Sequence, residues 1–344
     1  MEQKVDSRLQ RIANVLLLNT SLTNNIGLLD GKMGIAIFFY QYSRYTGNQL
    51  YEDFAGELID QIYNDINSDL PIDFAKGLMG IGWGFEYLVK EKFIDADTDE
   101  VLTEIDRLVF RSTLKTPLLI NNQDELFGFG LYYLARLQGR ENDNDNLQTI
   151  FKKQVLTYLH DDCERLFTKK EMFGYKVPIL TINQINSIAY FLLEMQKLKL
   201  FPVKLAKLEG YLPKYIIEKA VKTSQEIEYM ALITMLNELS KNLPNNNLKS
   251  EYLKINELLK NEIKSSHKTN TSIQNGLIKS AWYSLLYKIH FYGRMMAKEA
   301  FCKSDSEDIW NHRLEQLSKD NLGLDNGMAG LGLAILNAKE EIIC

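Results

Sequence analysis

Hydrophobic and polar positions alternate between two kinds of helical pattern along this chain. Residues 4–19, 50–67 and 98–112 place apolar side chains three and four positions apart, which predicts amphipathic helices. The stretches between them, such as residues 32–45 and 78–92, are apolar on nearly every side. A helix with one apolar stripe lies on the outside of a protein, whereas a helix that is apolar all round is buried. The pattern therefore predicts outer and inner helices in alternation.

The alternation continues to the end of the chain and predicts seven pairs of helices. Further outer helices are predicted at residues 147–166, 203–222, 246–265 and 300–319, and further inner helices at residues 125–139, 183–198, 226–240, 277–297 and 326–338. Residues 168–181, which contain Gly174 and Pro178, predict extended chain and a short hairpin. Thr98 is the predicted N-cap of the helix at 98–112 because acidic residues follow it.

A glycine motif marks the starts of several inner helices. It occurs at residues 27–35, 73–81 and 323–331, each time as two glycines three positions apart before an apolar run. The spacing is not that of a phosphate-binding loop, and no predicted strand precedes it. Glycine there is expected to permit an unusual backbone conformation and the close approach of a second backbone. The predicted structural glycines are Gly27, Gly31, Gly34, Gly77, Gly80, Gly128, Gly323, Gly327 and Gly330.

These repeats predict a single all-α domain over residues 1–344. Seven inner helices, each backed by an outer helix, form an (α/α) toroid of seven inner and seven outer helices. A closed repeat architecture also accommodates 344 residues around one core, although such a length usually divides into several domains.

Composition narrows the function classes. The net charge is −5 and the basic residues are scattered, so no nucleic-acid-binding stripe is indicated. There is no signal-peptide pattern at the N-terminus and no transmembrane segment of 18 apolar residues. Three widely spaced cysteines, Cys163, Cys302 and Cys344, suggest a reduced, cytoplasmic protein without a disulfide framework.

Repeats place equivalent residues on one ring, and the positions at the helix starts are mostly acidic. They have two interpretations: caps that satisfy free N–H groups, or a cavity mouth that binds a cationic or polyhydroxyl ligand. The weak catalytic candidates are Asp30, Asp73, Asp124, Glu125 and Asp325. The predicted cavity-lining residues are Lys76, Trp83, Phe127, Glu226, Glu228, Trp282, Tyr283 and Asn326. Aromatic residues near these turns, which include Phe129, are either core residues or stacking platforms for a ligand.

The glycine motif, repeated in an all-helical chain, resembles the lanthionine synthetase C-like family. Residues 27–35, 77–81 and 323–331 carry the match. The resemblance implies a seven-repeat α/α toroid. The family's members that are cyclases bind one zinc ion in the central cavity of this fold. There the metal activates a peptide cysteine thiol, which adds to a dehydrated serine or threonine and forms a thioether.

The resemblance also implies zinc ligands that this sequence lacks. The family places a cysteine and a Cys-His pair at positions that correspond here to Glu226, Ile278 and Lys279, and no Cys-His pair occurs in the chain. His290 and His312 are interpreted as ordinary histidines. We therefore expect the family's fold without its zinc, and no other cofactor.

Three functions stay open from the sequence. The first is a divergent family member that acts in lantibiotic-type peptide modification as a peptide-binding or accessory subunit. Its expected partners are a peptide substrate or precursor peptide and a peptide-modifying enzyme. The second is a metal-independent carbohydrate-active or other enzyme that uses acidic residues at the cavity mouth. The third is a structural scaffold.

Overall fold

All regular secondary structure described in this computed structural model is helical, which confirms the all-α prediction. The structure describes residues 2–113, 123–138, 140, 146–168, 180–219, 226–243, 245–266, 314–315, 321–325 and 327–343. Its helices are α1 (Glu2–Asn19), a 3-10 turn (Thr20–Leu22), α2 (Lys32–Thr46), α3 (Gln49–Asp65), α4 (Leu78–Lys90), α5 (Thr98–Val101), α6 (Thr103–Thr113), α7 (Gln123–Leu137), α8 (Leu147–Thr168), α9 (Ile182–Lys197), α10 (Pro202–Lys219), α11 (Glu226–Lys241), α12 (Asn246–Ser266) and α13 (Met328–Ile343).

The chain divides into two compact units, one formed by Met1–Ser112 with Thr271–Cys344 and the other by Thr113–Asn270. The single domain expected over residues 1–344 stays a prediction.

In the first unit, the two ends of the chain meet. The last helix, α13, packs against α2, the first inner helix, and α2 packs in turn against α4. Glycines allow the close packing: a Cβ on Gly332 of α13 would lie 2.3 Å from the Phe38 ring, and a Cβ on Gly84 of α4 would lie 2.6 Å from Met33. The amphipathic helices α1 and α3 pack against α13 and α2, respectively.

The second unit contains two layers of three helices. The inner-type helices α7, α9 and α11 lie side by side, with α9 in the middle. The amphipathic helices α8, α10 and α12 form the other layer, and each packs against the inner helix that precedes it. This pairing is the one that an α/α toroid requires.

Burial separates the two helix types as the sequence pattern predicts. In α2, ten residues in the run from Met33 to Ser43 are buried, whereas α3 buries only Ala55, Leu58, Ile59 and Ile62. The apolar stripe of α3 covers α2, and its polar side faces solvent. Inner and outer helices are therefore distinguishable from sequence because an inner helix has neighbours on every side.

Two inner helices end in the same way, with a lysine in the left-handed region. Lys92 follows α4 with φ 59° and Lys199 follows α9 with φ 53°. In both cases the lysine N–H and the next N–H donate to carbonyls of the last helical turn, at 2.9 to 3.0 Å. This Schellman geometry usually carries glycine, because a Cβ is strained at positive φ.

Four predicted elements need correction or lie wholly or largely outside the described residues. The helix expected at 98–112 is divided at Leu102, a fully buried residue with φ −97° and ψ 7°. Its N-cap is Asp97, whose carboxylate accepts the Asp99 N–H, and not Thr98. The hairpin expected at 168–181 falls almost wholly on undescribed residues, as do the helices expected at 277–297 and 300–319, of which only 314–315 are described, as helix.

Candidate functional site: the loops at the helix starts

Three loops of the first unit, each just before an inner helix, share one hydrogen-bond pattern. In each loop the N–H of the first helical residue donates to the carbonyl oxygen seven positions earlier. The bonds run from Lys32 to Asn25 at 2.9 Å, from Leu78 to Pro71 at 2.9 Å and from Met328 to Asn321 at 3.1 Å. Each loop is therefore a compact turn whose first residue is hydrogen-bonded to the start of the helix that follows it.

The three loops are also bonded to one another through their backbones. The Leu29 N–H donates to the Ala75 carbonyl oxygen at 2.8 Å. The Leu29 carbonyl oxygen accepts the N–H groups of Leu324 and Asp325, at 2.6 and 3.0 Å. Residue 29 thus joins the loop before α2 to the loops before α4 and α13, and both of its own backbone groups are paired.

Glycines make these loop contacts possible, because the neighbouring backbone lies so close that no side chain would fit. A Cβ on Gly27 would lie 2.4 Å from the Lys76 Cα, and a Cβ on Gly323 would lie 2.2 Å from the Leu29 carbonyl oxygen. A Cβ on Gly80 would lie 2.0 Å from the Phe74 carbonyl oxygen. These distances are far below van der Waals contact, so each backbone approach needs a glycine.

Backbone conformation does not explain these glycines. Gly31 and Gly77, the N-caps of α2 and α4, have φ −139° and −109°, which any residue adopts. The expected unusual conformation is therefore wrong at both positions, and close approach alone accounts for them. Gly31 and Gly77 have no side chain with which to cap α2 and α4. The Asp73 carboxylate accepts the N–H of Lys76, one residue before the N-cap of α4, and the capping interpretation of the other carboxylates stays a prediction.

The structure brings two of the predicted mouth carboxylates, Asp30 and Asp73, into contact with Lys76. The exposed Lys76 ammonium lies 3.5 Å from a carboxylate oxygen of the half-buried Asp30. The Lys76 backbone N–H donates to the Asp73 carboxylate at 2.7 Å. Asp325 is bonded to the neighbouring loop through its backbone N–H, which donates to the Leu29 carbonyl oxygen. These carboxylates therefore hold the loops, and Lys76 is the exposed cation among them.

The predicted aromatic residues of the first two repeats are packed inside the unit. Trp83 is 8% exposed; its ring stacks on Tyr87 at 5.4 Å between centroids and meets Phe74 edge-on at 6.1 Å. The Tyr87 hydroxyl accepts a hydrogen bond from Gln41 at 2.7 Å, and burial raises the pKa of Tyr87 to about 12. Trp83 presents little surface for stacking on a ligand.

In the second unit, the residues just before an inner helix are described for α9, and they contain no glycine loop. Thr181 and Gln184 form a capping box at the start of α9, in which each side chain accepts the other residue's N–H. Asp124 and Glu125 lie in the first turn of α7, and Glu226 and Glu228 in that of α11, but their side chains lie outside the described residues, as does the side chain of Phe127. Phe129 is buried. Trp282, Tyr283 and Asn326 are not described.

One cluster with possible metal ligands lies in the described part of the chain, on α8, and the sequence interpretation did not single it out. Ligand atoms of His160, Asp161 and Glu164 lie within 4.8 Å of one another. However, the buried His160 ring bonds the Lys204 carbonyl oxygen at 2.8 Å, and the Lys204 ammonium lies 2.6 Å from Asp161. Spacing along the helix was the available signal, because positions four apart share a face. Lys204 already supplies a cation, so the cluster joins α8 to α10.

The electrostatics around these residues reflect burial. Burial favours the neutral form of Asp161, but hydrogen bonds from Lys204 and His160 outweigh it and lower the pKa of Asp161 below its usual value. Burial raises the pKa of Asp162 to about 6 despite the Arg165 guanidinium 2.7 Å away. Burial, with Asp162 beside it, also holds the pKa of the Cys163 thiol well above its usual value, which leaves that thiol unreactive at neutral pH.

A family comparison agrees with the repeated loops. Residues 22–179 match the family model described as lanthionine synthetase C-like protein. These residues belong to the lanthionine synthetase C-like family. The match begins just before the first glycine loop and extends through α8, so it includes the loops before α2 and α4. The family resemblance drawn from the glycine motif is thereby confirmed.

No curated protein matches the chain, so no relative supplies a substrate. In the described part of the chain, no helix is both long and apolar enough to span a lipid bilayer.

Proposed function

We propose that this chain is a divergent lanthionine synthetase C-like protein that binds a peptide in lantibiotic-type modification. It acts as an accessory subunit and presents the peptide to a modifying enzyme, without a zinc-dependent cyclase centre of its own. Family membership supports the connection to peptides, and the donor set of the chain supports the loss of the zinc centre.

The zinc site of the family needs a set of sulfur and imidazole ligands, and this chain does not fit it. A catalytic zinc ion is held by three protein ligands, usually from cysteine and histidine. Three cysteines and four histidines occur in 344 residues, and no cysteine is followed by a histidine. Within the described residues, Cys163 and His160 are the available thiol and imidazole, and both are buried on the outer helix α8. The first expected ligand position is Glu226, at the start of α11.

The missing Cys-His pair is the observation that carries the proposal. Without a metal, a peptide thiol stays mostly protonated at neutral pH and adds slowly to a dehydrated residue. The groups that remain at the mouth suit binding: Lys76 presents an exposed ammonium beside the half-buried Asp30, on loops fixed by backbone bonds. Such a pair can hold a peptide's carboxylates and amides in a fixed place.

Two measurements on the full chain test the proposal. Elemental analysis of purified protein is expected to find far less than one zinc ion per chain. A synthetic peptide that contains one cysteine and one dehydroalanine is expected to cyclise no faster with the protein than without it. Stoichiometric zinc together with accelerated thioether formation would show a working cyclase and overturn the accessory role.

Binding is tested with a fluorescent peptide that contains serine, threonine and cysteine. Lys76→Glu is expected to weaken its binding, measured by anisotropy, because it reverses the exposed charge at the mouth. Lys92→Glu is the matched control, since it makes the same change at an exposed residue that follows α4. Equal binding by both variants and the original chain would mean that the peptide does not use this mouth.

A carbohydrate-active enzyme is the second hypothesis, and the geometry gives it less support. Acid–base catalysis on a glycan needs two carboxylates free to exchange protons with substrate. Here Asp30 faces the Lys76 ammonium, and Asp73 accepts the Lys76 backbone N–H. Both carboxylates thus have structural bonds.

A further inference from the structure

The solvent-facing side of α3 is acidic along its length. Asp53, Glu57 and Asp60 are exposed, and the helix contains no lysine or arginine. These three carboxylates form no ion pair with any residue in the described ranges. Two large apolar side chains flank them: Leu50 is 72% exposed and Tyr63 is 54% exposed. We call these five residues the acidic face.

The solvent-facing side of α10 has the opposite character. Lys207 and Lys214 are exposed, and neither forms an ion pair with a described residue. Glu209, which shares the helix, is buried and faces inward. Val203 is 78% exposed and Ile217 is 58% exposed, one beyond each lysine. We call Val203, Lys207, Lys214 and Ile217 the basic face.

The two faces match in spacing as well as in charge. Asp53 and Asp60 are seven residues apart, as are Lys207 and Lys214. At a rise of 1.5 Å per residue, each pair of charges is separated by about 10.5 Å along its helix. In both faces an apolar side chain lies three or four residues beyond each of the two outer charges. Two such helices laid side by side pair both charges and both apolar ends at once.

The midpoint of each face also fits the other. Glu57, the middle acidic residue, lies between Asp53 and Asp60. Gly210 lies between Lys207 and Lys214, and a Cβ built there meets no atom within 4 Å. The open space over Gly210 leaves room for the long Glu57 side chain between the two lysines.

We propose that the chain self-associates through these faces, with α3 of one copy against α10 of a second copy. Each face is exposed on its own unit, and the proposal assigns the contact to two copies of the chain. The two surfaces differ, so the contact is heterologous and a further copy can add at each free face. Because the charges are exposed, added salt weakens the association by screening them.

Sedimentation velocity over a range of protein concentrations at low ionic strength tests the proposal. The chain is expected to form dimers and larger species that dissociate as salt is added. Two double variants are made, one with Lys207→Glu and Lys214→Glu and the other with Asp53→Lys and Asp60→Lys. Each is expected to raise the dissociation constant roughly tenfold or more, because two attractions become repulsions. Glu57 would then lie between two glutamates, so the restoring variant combines all four changes with Glu57→Lys. It again has opposite charges on the two faces and is expected to associate.

Controls separate this contact from general charge effects. The double variant with Lys92→Glu and Lys241→Glu has the same net charge as the one with Lys207→Glu and Lys214→Glu, but its changes lie at exposed positions outside both faces. It is expected to leave association unchanged. Circular dichroism checks that every variant is folded. A chain that stays monomeric at low salt, or a combined charge-exchange variant, with Glu57→Lys included, that fails to restore association, would overturn the proposal. So would a monomer that binds anionic vesicles through Lys207 and Lys214, since the basic face would then belong to a lipid surface.

Discussion

Gly27→Ala is the substitution that most directly tests the contacts between the helix-start loops. The new Cβ would lie 2.4 Å from the Lys76 Cα and 2.6 Å from both the Lys76 carbonyl carbon and its oxygen. All three atoms belong to the backbone, so no side chain can rotate away. The loops before α2 and α4 must separate by about 1 Å or more to reach ordinary contact distance.

The expected cost follows from two opposing effects. Overpacking costs 1–3 kcal/mol, and a clash with backbone should lie near the upper end, at about 3 kcal/mol. Replacing glycine lowers the entropy of the unfolded chain and returns about 0.4–1 kcal/mol. We therefore expect Gly27→Ala to lower the free energy of unfolding by about 2 kcal/mol. Separation of the loops should also weaken the bond from the Leu29 N–H to Ala75.

Urea unfolding followed by circular dichroism measures the change, and hydrogen exchange of the Leu29 amide reports the loop contact. Gly56→Ala is the matched control: this glycine lies inside α3, and its built Cβ finds only the Tyr40 hydroxyl, at 3.9 Å. That variant should be more stable by about 0.5–1 kcal/mol, because alanine is the better helix former. Equal stability of the Gly27→Ala and Gly56→Ala variants would refute the packing argument.

Three further predictions concern stability. Lys199→Gly should stabilise the chain by about 1 kcal/mol in urea unfolding because it relieves a left-handed residue, whereas Lys214→Gly inside α10 should cost about as much. The raised pKa of Asp162, about 6, means that its contribution to stability is present in full below its unfolded pKa of about 3.9 and is lost as pH rises through 6. Between pH 4 and pH 8 the free energy of unfolding of the original chain should therefore fall by up to about 3 kcal/mol relative to that of Asp162→Asn. Parallel pH profiles of the free energy of unfolding for the two proteins would contradict this. Phe38→Ala should cost about 3–5 kcal/mol in the same assay, since Phe38 is fully buried against Gly332, and a cost below 1 kcal/mol would show that α2 and α13 do not pack as described.

Part of the candidate site could be predicted from sequence because the glycine loops repeat. The motif located the starts of α2, α4 and α13 and pointed to the family. It did not reveal which atoms the glycines face, since the contact of Gly27 with Lys76 joins residues about fifty positions apart. It also suggested an unusual backbone conformation, whereas Gly31 and Gly77 have ordinary dihedrals.

The carboxylates illustrate why side-chain roles were harder to predict. Asp30 and Asp73 precede helices in sequence, which suggested capping. In the folded chain both interact with Lys76, one through its ammonium and the other through its backbone. The cluster of His160 with Lys204 was missed for a similar reason, because α8 and α10 come together only when the outer layer packs.

The sequence by itself determined most of the described helices, their division into buried and half-exposed types, and the family resemblance of residues 22–179. Those features depend on local spacing of apolar residues and on short repeated motifs, and both are properties of neighbouring positions. Only the tertiary structure decided which backbone segments pack against the glycines, which charges are paired and which helix faces are exposed to solvent. Those outcomes depend on distances between residues far apart in the chain, and these distances are fixed only when the helices pack against one another.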